Sequence, residues 1–343
     1  MQLNSVTLMD LMAYGGAGLG IISAVSAFAK GRLTLQAVLT IVLLAADFFL
    51  PLRLLGSYFH IAMNGAASAE KIFSIMDMVP EVVDAPDAID LSTVRGEIEF
   101  KNVWFAYEKD DWVLKDVSFH VEPGQTVAFV GDTGAGKTTI LGLLCRNYDI
   151  QKGIITLDGI DIRHIKLSSL RRHFGQMLQD VFLLSGTIRS NLLLHMDGVS
   201  DEKIMEACRY VNADSFINRL PKGLDEEVRE RGNNFSAGQR QLLSFARTIL
   251  HQPEIMILDE ATANIDTETE VLIQNSLEKM MRIGTMLMVA HRLSTIQHAD
   301  NILVLQNGRI IESGSHFNLL EQKGRYYELY TLQLHKQSLE ARH

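Results

Sequence analysis

Eight residues, Gly131-Asp132-Thr133-Gly134-Ala135-Gly136-Lys137-Thr138, fit the pattern G-x-x-x-x-G-K-[ST], which cradles the phosphates of a nucleotide. The glycines let the backbone curl until successive N–H groups converge on phosphate oxygens, and a helix starting there adds favourable partial charge. In this pattern Lys137 bridges the β- and γ-phosphates, Thr138 ligates Mg2+ and Thr139 reaches the α-phosphate. Farther along, four apolar residues, 255–258, deliver Asp259 and Glu260 to what reads as the end of a buried strand. That edge is where ligands of α/β folds collect. Asp259 would hold Mg2+ through water and Glu260 would polarise an attacking water, the bland alternative being a solvated acidic turn. His291 ends the next apolar run and is placed to reach a γ-phosphate, although a lone histidine is more often structural.

These groups need a scaffold, and the pattern around them supplies one. Residues 126–130 read as a short apolar strand running into the glycine loop, and a helix is expected from Lys137 onward. Residues 97–104 and 112–121 read as a strand pair, and Asp158-Gly159 marks a tight turn between two further strands. Strand texture returns at 255–258, 285–290 and 302–305, with Asn307-Gly308 turning the last one back into 309–312. The stretch 168–250 reads as mostly helical, broken by Gly186, Pro221 and Gly232.

The N-terminal fifth is of another kind. Residues 11–29 carry no charge, and in 34–55 only Asp47 and Arg53 interrupt an apolar run, so each stretch is long enough to cross a bilayer. Lys30-Gly31-Arg32 is a short turn between them, giving an antiparallel hairpin with spans at about 8–29 and 34–56. Gly16 and Gly20 stand at the spacing that allows close helix approach. Asp47, at membrane depth, is expected in a bundle interior or a wet cavity. A cleavable leader is rejected, since no positive charge precedes the first run. Residues 1–80 are thus membrane-domain sequence, 81–95 a linker, 96–335 a globular domain and 336–343 a tail. A net charge of −9 argues against a nucleic-acid surface, and two cysteines without metal-type spacing, Cys145 and Cys208, read as reduced thiols.

Taken together, residues 96–335 resemble the nucleotide-binding domain of ABC transporters, with every motif in the family's order. The resemblance implies an α/β P-loop NTPase with antiparallel β and α-helical subdomains, here preceded by an all-α transmembrane hairpin. It implies that Tyr107 stacks on adenine and that Gln179 links Mg2+ to the membrane domain. It makes Phe235-Ser236-Ala237-Gly238-Gln239 the signature loop that touches ATP held by a second chain, and puts Asp266 in the segment that crosses to that partner. The family's usual Leu-Ser-Gly-Gly-Gln is altered at two positions; an alanine preserves N–H donation if its φ stays negative.

Membrane helices fused ahead of the ATPase resemble the exporter arrangement, whose half-transporters have six spans. The chain is therefore expected to be an exporter half lacking its first four spans, working as a homodimer or heterodimer in the plasma membrane with its ATPase in the cytosol. Residues 51–60 resemble the end of the last span in bacterial cysteine/glutathione exporters. ATP and Mg2+ are the implied ligands, the lipid bilayer and an unidentified transported substrate the implied partners. The alternative class is a membrane-anchored ABC ATPase acting as a mechanical or signalling module.

Overall fold

The computed structural model describes residues 2–109, 111–177, 181–194, 196–259, 267–289 and 293–340. The chain divides into two compact units, Met1–Pro80 and Glu81–His343.

The first unit is a pair of helices, α1 (Gln2–Ala29) and α2 (Leu35–Met76), which pack on each other. Thr34 caps α2, its hydroxyl accepting from the Ala37 N–H at 3.3 Å, and the helix continues through Pro51. Among the described residues the buried apolar groups here are Ala13, Ala24 and Val38, all modest in size. Gly20 takes no part: a Cβ built on it meets nothing described within 4 Å. Most of the apolar surface stays outward, with Leu11, Leu43 and Phe48 each about 70% exposed, and Asp47 is exposed as well. One segment among the described residues, Asp10–Ala29, is long and apolar enough to cross a membrane; Leu35–Ala45 is a shorter apolar helix stretch.

The second unit begins with strands β1 (Ile98–Ala106), β2 (Trp112–Val121) and β3 (Thr126–Gly131), followed by α3 (Lys137–Leu144). Next come β4 (Lys152–Leu157), β5 (Ile160–Asp161), α4 (Leu167–Arg172), β6 (Phe174–Met177) and β7 (Gly186–Thr187). Helices α5 (Ile188–Leu193), α6 (Asp201–Tyr210) and α7 (Asp214–Ile217) lead to β8 (Glu227–Val228) and α8 (Ala237–His251). The chain then runs through β9 (Ile255–Asp259), α9 (Thr267–Met280), β10 (Thr285–Val289), α10 (Leu293–Ile296), β11 (Asn301–Gln306) and β12 (Arg309–Gly314). It closes with α11 (His316–Gln322) and α12 (Arg325–Glu340).

Six of these strands form a sheet in the order β12-β11-β3-β10-β9-β6, parallel except for β12. Four others form an antiparallel sheet, β2-β1-β4-β5, and β7 and β8 make a two-stranded ribbon. The central strands are buried on both faces, which is why they read as unbroken apolar runs. Along β3, Val127 and Phe129 enter one core with the antiparallel sheet and α3, while Ala128 and Val130 enter a second core with α5, α6, α8 and α9. The period-two alternation of a strand therefore sorts alternate residues between two separate cores.

One expectation is corrected within the stretch read as mostly helical. Phe174–Met177 is a strand, paired in parallel with β9 from Phe174↔Ile255 to Met177↔Leu258. Four residues are too few to show a period, and the segment is held by its neighbour rather than by propensity.

Candidate functional site

The parallel strands bring their C-terminal ends level. In register, Phe129 of β3 faces Val289 of β10, Val289 faces Asp259 of β9, and Leu258 faces Met177 of β6. The glycine loop springs from the end of β3. Gly136 caps α3 at φ +101°, a region costly for any other residue, and a Cβ there would sit 2.6 Å from Leu114 Cδ2. Within the loop the Ala135 N–H donates to the Asp132 carbonyl, at 3.2 Å. The N–H groups of Thr133, Gly134 and Gly136 donate to no acceptor among the described residues. With the N–H groups that the first turn of any helix leaves without intrahelical partners, they are donors available to phosphate oxygens.

Lys137 lies in the middle of this cradle and is 7% exposed. Its ammonium donates to the Gly131 carbonyl at 2.8 Å and to the Asp132 carbonyl at 2.9 Å, so the loop is closed on its own lysine. Burial pushes the Lys137 pKa below its usual value, and the carboxylates of Asp132 and Asp259 oppose that shift. Asp259 thus shares the field of the lysine although it comes from another strand. Thr138 is exposed, while Thr139 is buried with its hydroxyl 3.0 Å from the Tyr107 hydroxyl. Tyr107 itself is 54% exposed, set edge-on against Phe105 and Tyr148 with ring centroids 4.9 and 5.1 Å away. Tyr148 was not among the residues singled out from the sequence, since nothing in its spacing announces that it buttresses Tyr107.

Among the described residues no group of three or more His, Cys, Asp or Glu is arranged to hold a metal ion. One exposed hydroxyl and one carboxylate, Thr138 and Asp259, are instead the sparse oxygen set that suits Mg2+, which completes its shell with phosphates and water. The residues present therefore fit that ion.

The loop 235–239 is a second built feature. Ser236 caps α8: its Oγ accepts from the Gln239 N–H at 3.2 Å, and Gln239 Oε1 accepts from the Ser236 N–H at 3.0 Å. This reciprocal box fixes the start of a fifteen-residue helix. Phe235 is buried beside Phe216 in the helical core, so the larger aromatic anchors the loop from below. Arg240 donates to the Phe235 carbonyl at 2.7 Å, and the Asn234 amide ties the approach by donating to the Glu227 carbonyl at 2.8 Å. Ala237 is the first residue of α8 and keeps a negative φ, so it sits there without strain. Among the described residues, no hydrogen bond or ion pair joins residues 236–239 to residues 131–139.

The structure thus gathers Lys137, Asp132 and Asp259 into one field, sets Tyr107 on Thr139, and keeps Ser236, Ala237, Gly238 and Gln239 apart. Gln179, Glu260, Asp266 and His291 lie outside the described residues. The strands that lead to three of them, β6, β9 and β10, end side by side. Both cysteines are free and buried, and burial pushes the Cys145 thiol up to about 11 and the Cys208 thiol up to about 12.

Comparison with known proteins places these features. A family model described as ABC transporter matches residues 114–263. The chain is 44% identical over 307 residues to YfiC, an uncharacterized ABC transporter ATP-binding protein of Bacillus subtilis, covering 90% of this chain and 51% of that protein. It is 44% identical over 283 residues to the ATP-dependent lipid A-core flippase of Syntrophus aciditrophicus, covering 82% of this chain and 47% of that one. A solved structure of a bacterial Atm1-family ABC exporter with ATP bound superposes with a TM-score of 0.73 at 37% identity, over 97% of this chain and 57% of the exporter. The chain spans about half the length of the curated relatives it matches.

Proposed function

Because this chain belongs to the ABC transporter family, we propose that it is the ATP-hydrolysing part of an exporter half, driving a substrate across a membrane as one member of a dimer. The observation that carries this reading is the presence, on one chain, of a phosphate loop at the start of α3 and a separately anchored loop at the start of α8. Each ends in a helix N-terminus, and nothing described binds the two together, so each is free to serve a different ATP. The membrane-length segment of α1 supports attachment to a bilayer, and the second apolar stretch, with the hairpin turn between, supports a multi-pass arrangement.

In this reading ATP stacks its base on Tyr107 and lays its phosphates along 131–138. Lys137 leaves its two carbonyls for the β- and γ-phosphates. Thr138 and Asp259 would hold Mg2+, which supplies charge neutralisation at the phosphates when bound. Glu260 orients water for in-line attack on the γ-phosphorus and accepts its proton as the bond to the β-phosphate oxygen breaks, with His291 and Gln179 steadying the γ-phosphoryl oxygens. Ser236–Gln239 and Asp266 act on the nucleotide and the surface of the second chain. Binding energy available only in the closed dimer then biases the membrane helices between two states.

Tyr107→Ala is expected to weaken ATP binding about five- to thirtyfold, from roughly 1–2 kcal/mol of lost stacking. Binding of inorganic tripolyphosphate, which has no base, should change less than about twofold, and titration calorimetry with both ligands checks this. Equal losses for the two would assign Tyr107 to support of Thr139 instead.

Transport itself is tested in inside-out vesicles from cells making the chain together with a candidate second half-transporter. ATP-dependent accumulation of fluorescent lipid, fatty-acid or cationic-drug probes is expected. ATP turnover with no accumulation of any probe would favour the anchored-ATPase reading.

A further inference from the structure

One carboxylate stands awkwardly in the proposed nucleotide site. Asp132 is the second residue of the phosphate loop and about half exposed, so its charge lies at the threshold of a cradle meant for a polyanion. A guanidinium from the far end of the chain meets it. Arg325, the first residue of α12, donates from one terminal nitrogen to both carboxylate oxygens of Asp132, at 2.8 and 3.1 Å. Its other terminal nitrogen donates to Glu328 at 2.8 Å.

An exposed ion pair is ordinarily of small consequence, because two mobile side chains must be ordered to form it. Here the arginine is delivered by the fold. The carboxylate of Glu312, on β12, accepts from the Arg325 N–H at 2.5 Å and from the Tyr326 N–H at 3.0 Å. Gly324 permits that approach, since a Cβ there would lie 2.9 Å from Glu312 Cδ. Tyr326 is 1% exposed, and its hydroxyl lies 2.7 Å from His316 Nδ1. One of these contacts holds the Arg325 backbone and two hold Tyr326 beside it, so the start of α12 is fixed where the guanidinium reaches across to the loop.

We propose that Arg325 is a positioning residue for nucleotide binding: it cancels the charge of Asp132 and draws that carboxylate aside, so that the loop accepts a triphosphate. The proposal rests on the reading that residues 131–138 bind ATP. It does not require Arg325 to touch the nucleotide. Without the guanidinium, Asp132 repels the incoming phosphates and competes for Lys137, whose field it already shares.

The test is a double-mutant cycle on the full chain, with the dissociation constant of Mg-ATP read by calorimetry at two salt concentrations. Arg325→Ala is expected to weaken binding about three- to tenfold at low salt and less at high salt, as a charge effect must. Arg325→Lys should retain most of the affinity. In an Asp132→Asn background, adding Arg325→Ala should change the constant by less than about twofold, because the loop carboxylate that the arginine offsets is gone and only the pair with Glu328, on α12 itself, is lost. Binding by Arg325→Ala equal to that of the parent would overturn the proposal. So would a loss that Asp132→Asn fails to relieve, which would mean that the arginine acts by docking α12. If Arg325→Ala melts early, Arg325→Gln in the two backgrounds gives the same comparison. Failure of the parent chain to bind ATP would instead overturn the assignment of the phosphate loop, so the two failures are distinct.

Discussion

Lys137→Ala is expected to reduce ATP affinity by roughly two to three decades, about 3–4 kcal/mol, and to bring turnover below detection. Lys137 supplies a charge-assisted donor inside a cradle that is otherwise built from neutral N–H groups, and such bonds are about twice as strong as neutral ones. The fold should survive the change. The lysine is 7% exposed and its pKa is held down by burial, so the protein bears a desolvation cost for keeping a cation there. Alanine removes that cost and leaves the Gly131 and Asp132 carbonyls to water. A melting temperature at or slightly above that of the parent, together with lost ATP binding, is the expected pair of results. Undiminished turnover would remove Lys137, and with it the proposed site, from the chemistry.

The same residue sets the direction of a pH effect. Its pKa in the free loop is below the usual 10.5. Arriving phosphates favour the charged ammonium and raise it. A group whose pKa rises on binding contributes its full share below the free-state pKa and loses it as pH climbs through the bound-state value. ATP affinity should therefore fall in alkaline solution earlier than an unperturbed lysine would dictate.

Glu260→Gln should have the second large effect, and it separates binding from chemistry. Loss of a positioned base typically costs about 10²- to 10⁴-fold in rate, so ATP turnover should fall into that range while ATP still binds. Since the amide keeps the shape of the carboxylate, the proposed two-chain closure should persist with nothing to end it. Light scattering in Mg-ATP is expected to give twice the mass of the chain for Glu260→Gln, and a smaller fraction of that species for the parent. A variant that stays monomeric with ATP would count against the two-chain site.

The parts of the fold that were legible in advance are those where a local pattern and its chemistry coincide. The strand, loop and helix at 126–144 could be read because an apolar run, a glycine motif and a helix start follow in order. Asp259 was legible as the end of β9 because four apolar residues lead to it. Phe174–Met177 was not, because its place is set by neighbours: a Cβ at Gly175 would meet Pro253 Cγ at 2.5 Å and Thr248 Cγ2 at 2.7 Å. That glycine is required by a packing contact with residues more than seventy positions away, which no local window contains. Arg325 escaped notice for a related reason, since its meaning comes from Asp132, at a separation of 193 residues. The cap at Ser236 follows a local pattern, because Ser-x-x-Gln is itself a helix-start pattern.

That cap divides one oxygen between two duties. To hold the start of α8, Ser236 Oγ uses a lone pair, accepting the Gln239 N–H. Its own hydrogen is not spent on any acceptor among the described residues. A hydroxyl has one proton to give and two lone pairs with which to accept, so the internal bond leaves its capacity as a donor intact while restricting where the oxygen can be. Were a phosphate to approach, as proposed, the serine would meet it already oriented, with little rotational freedom left to lose. In the proposed dimer, a bond made for the chain's own helix becomes the preparation for a ligand that another chain carries.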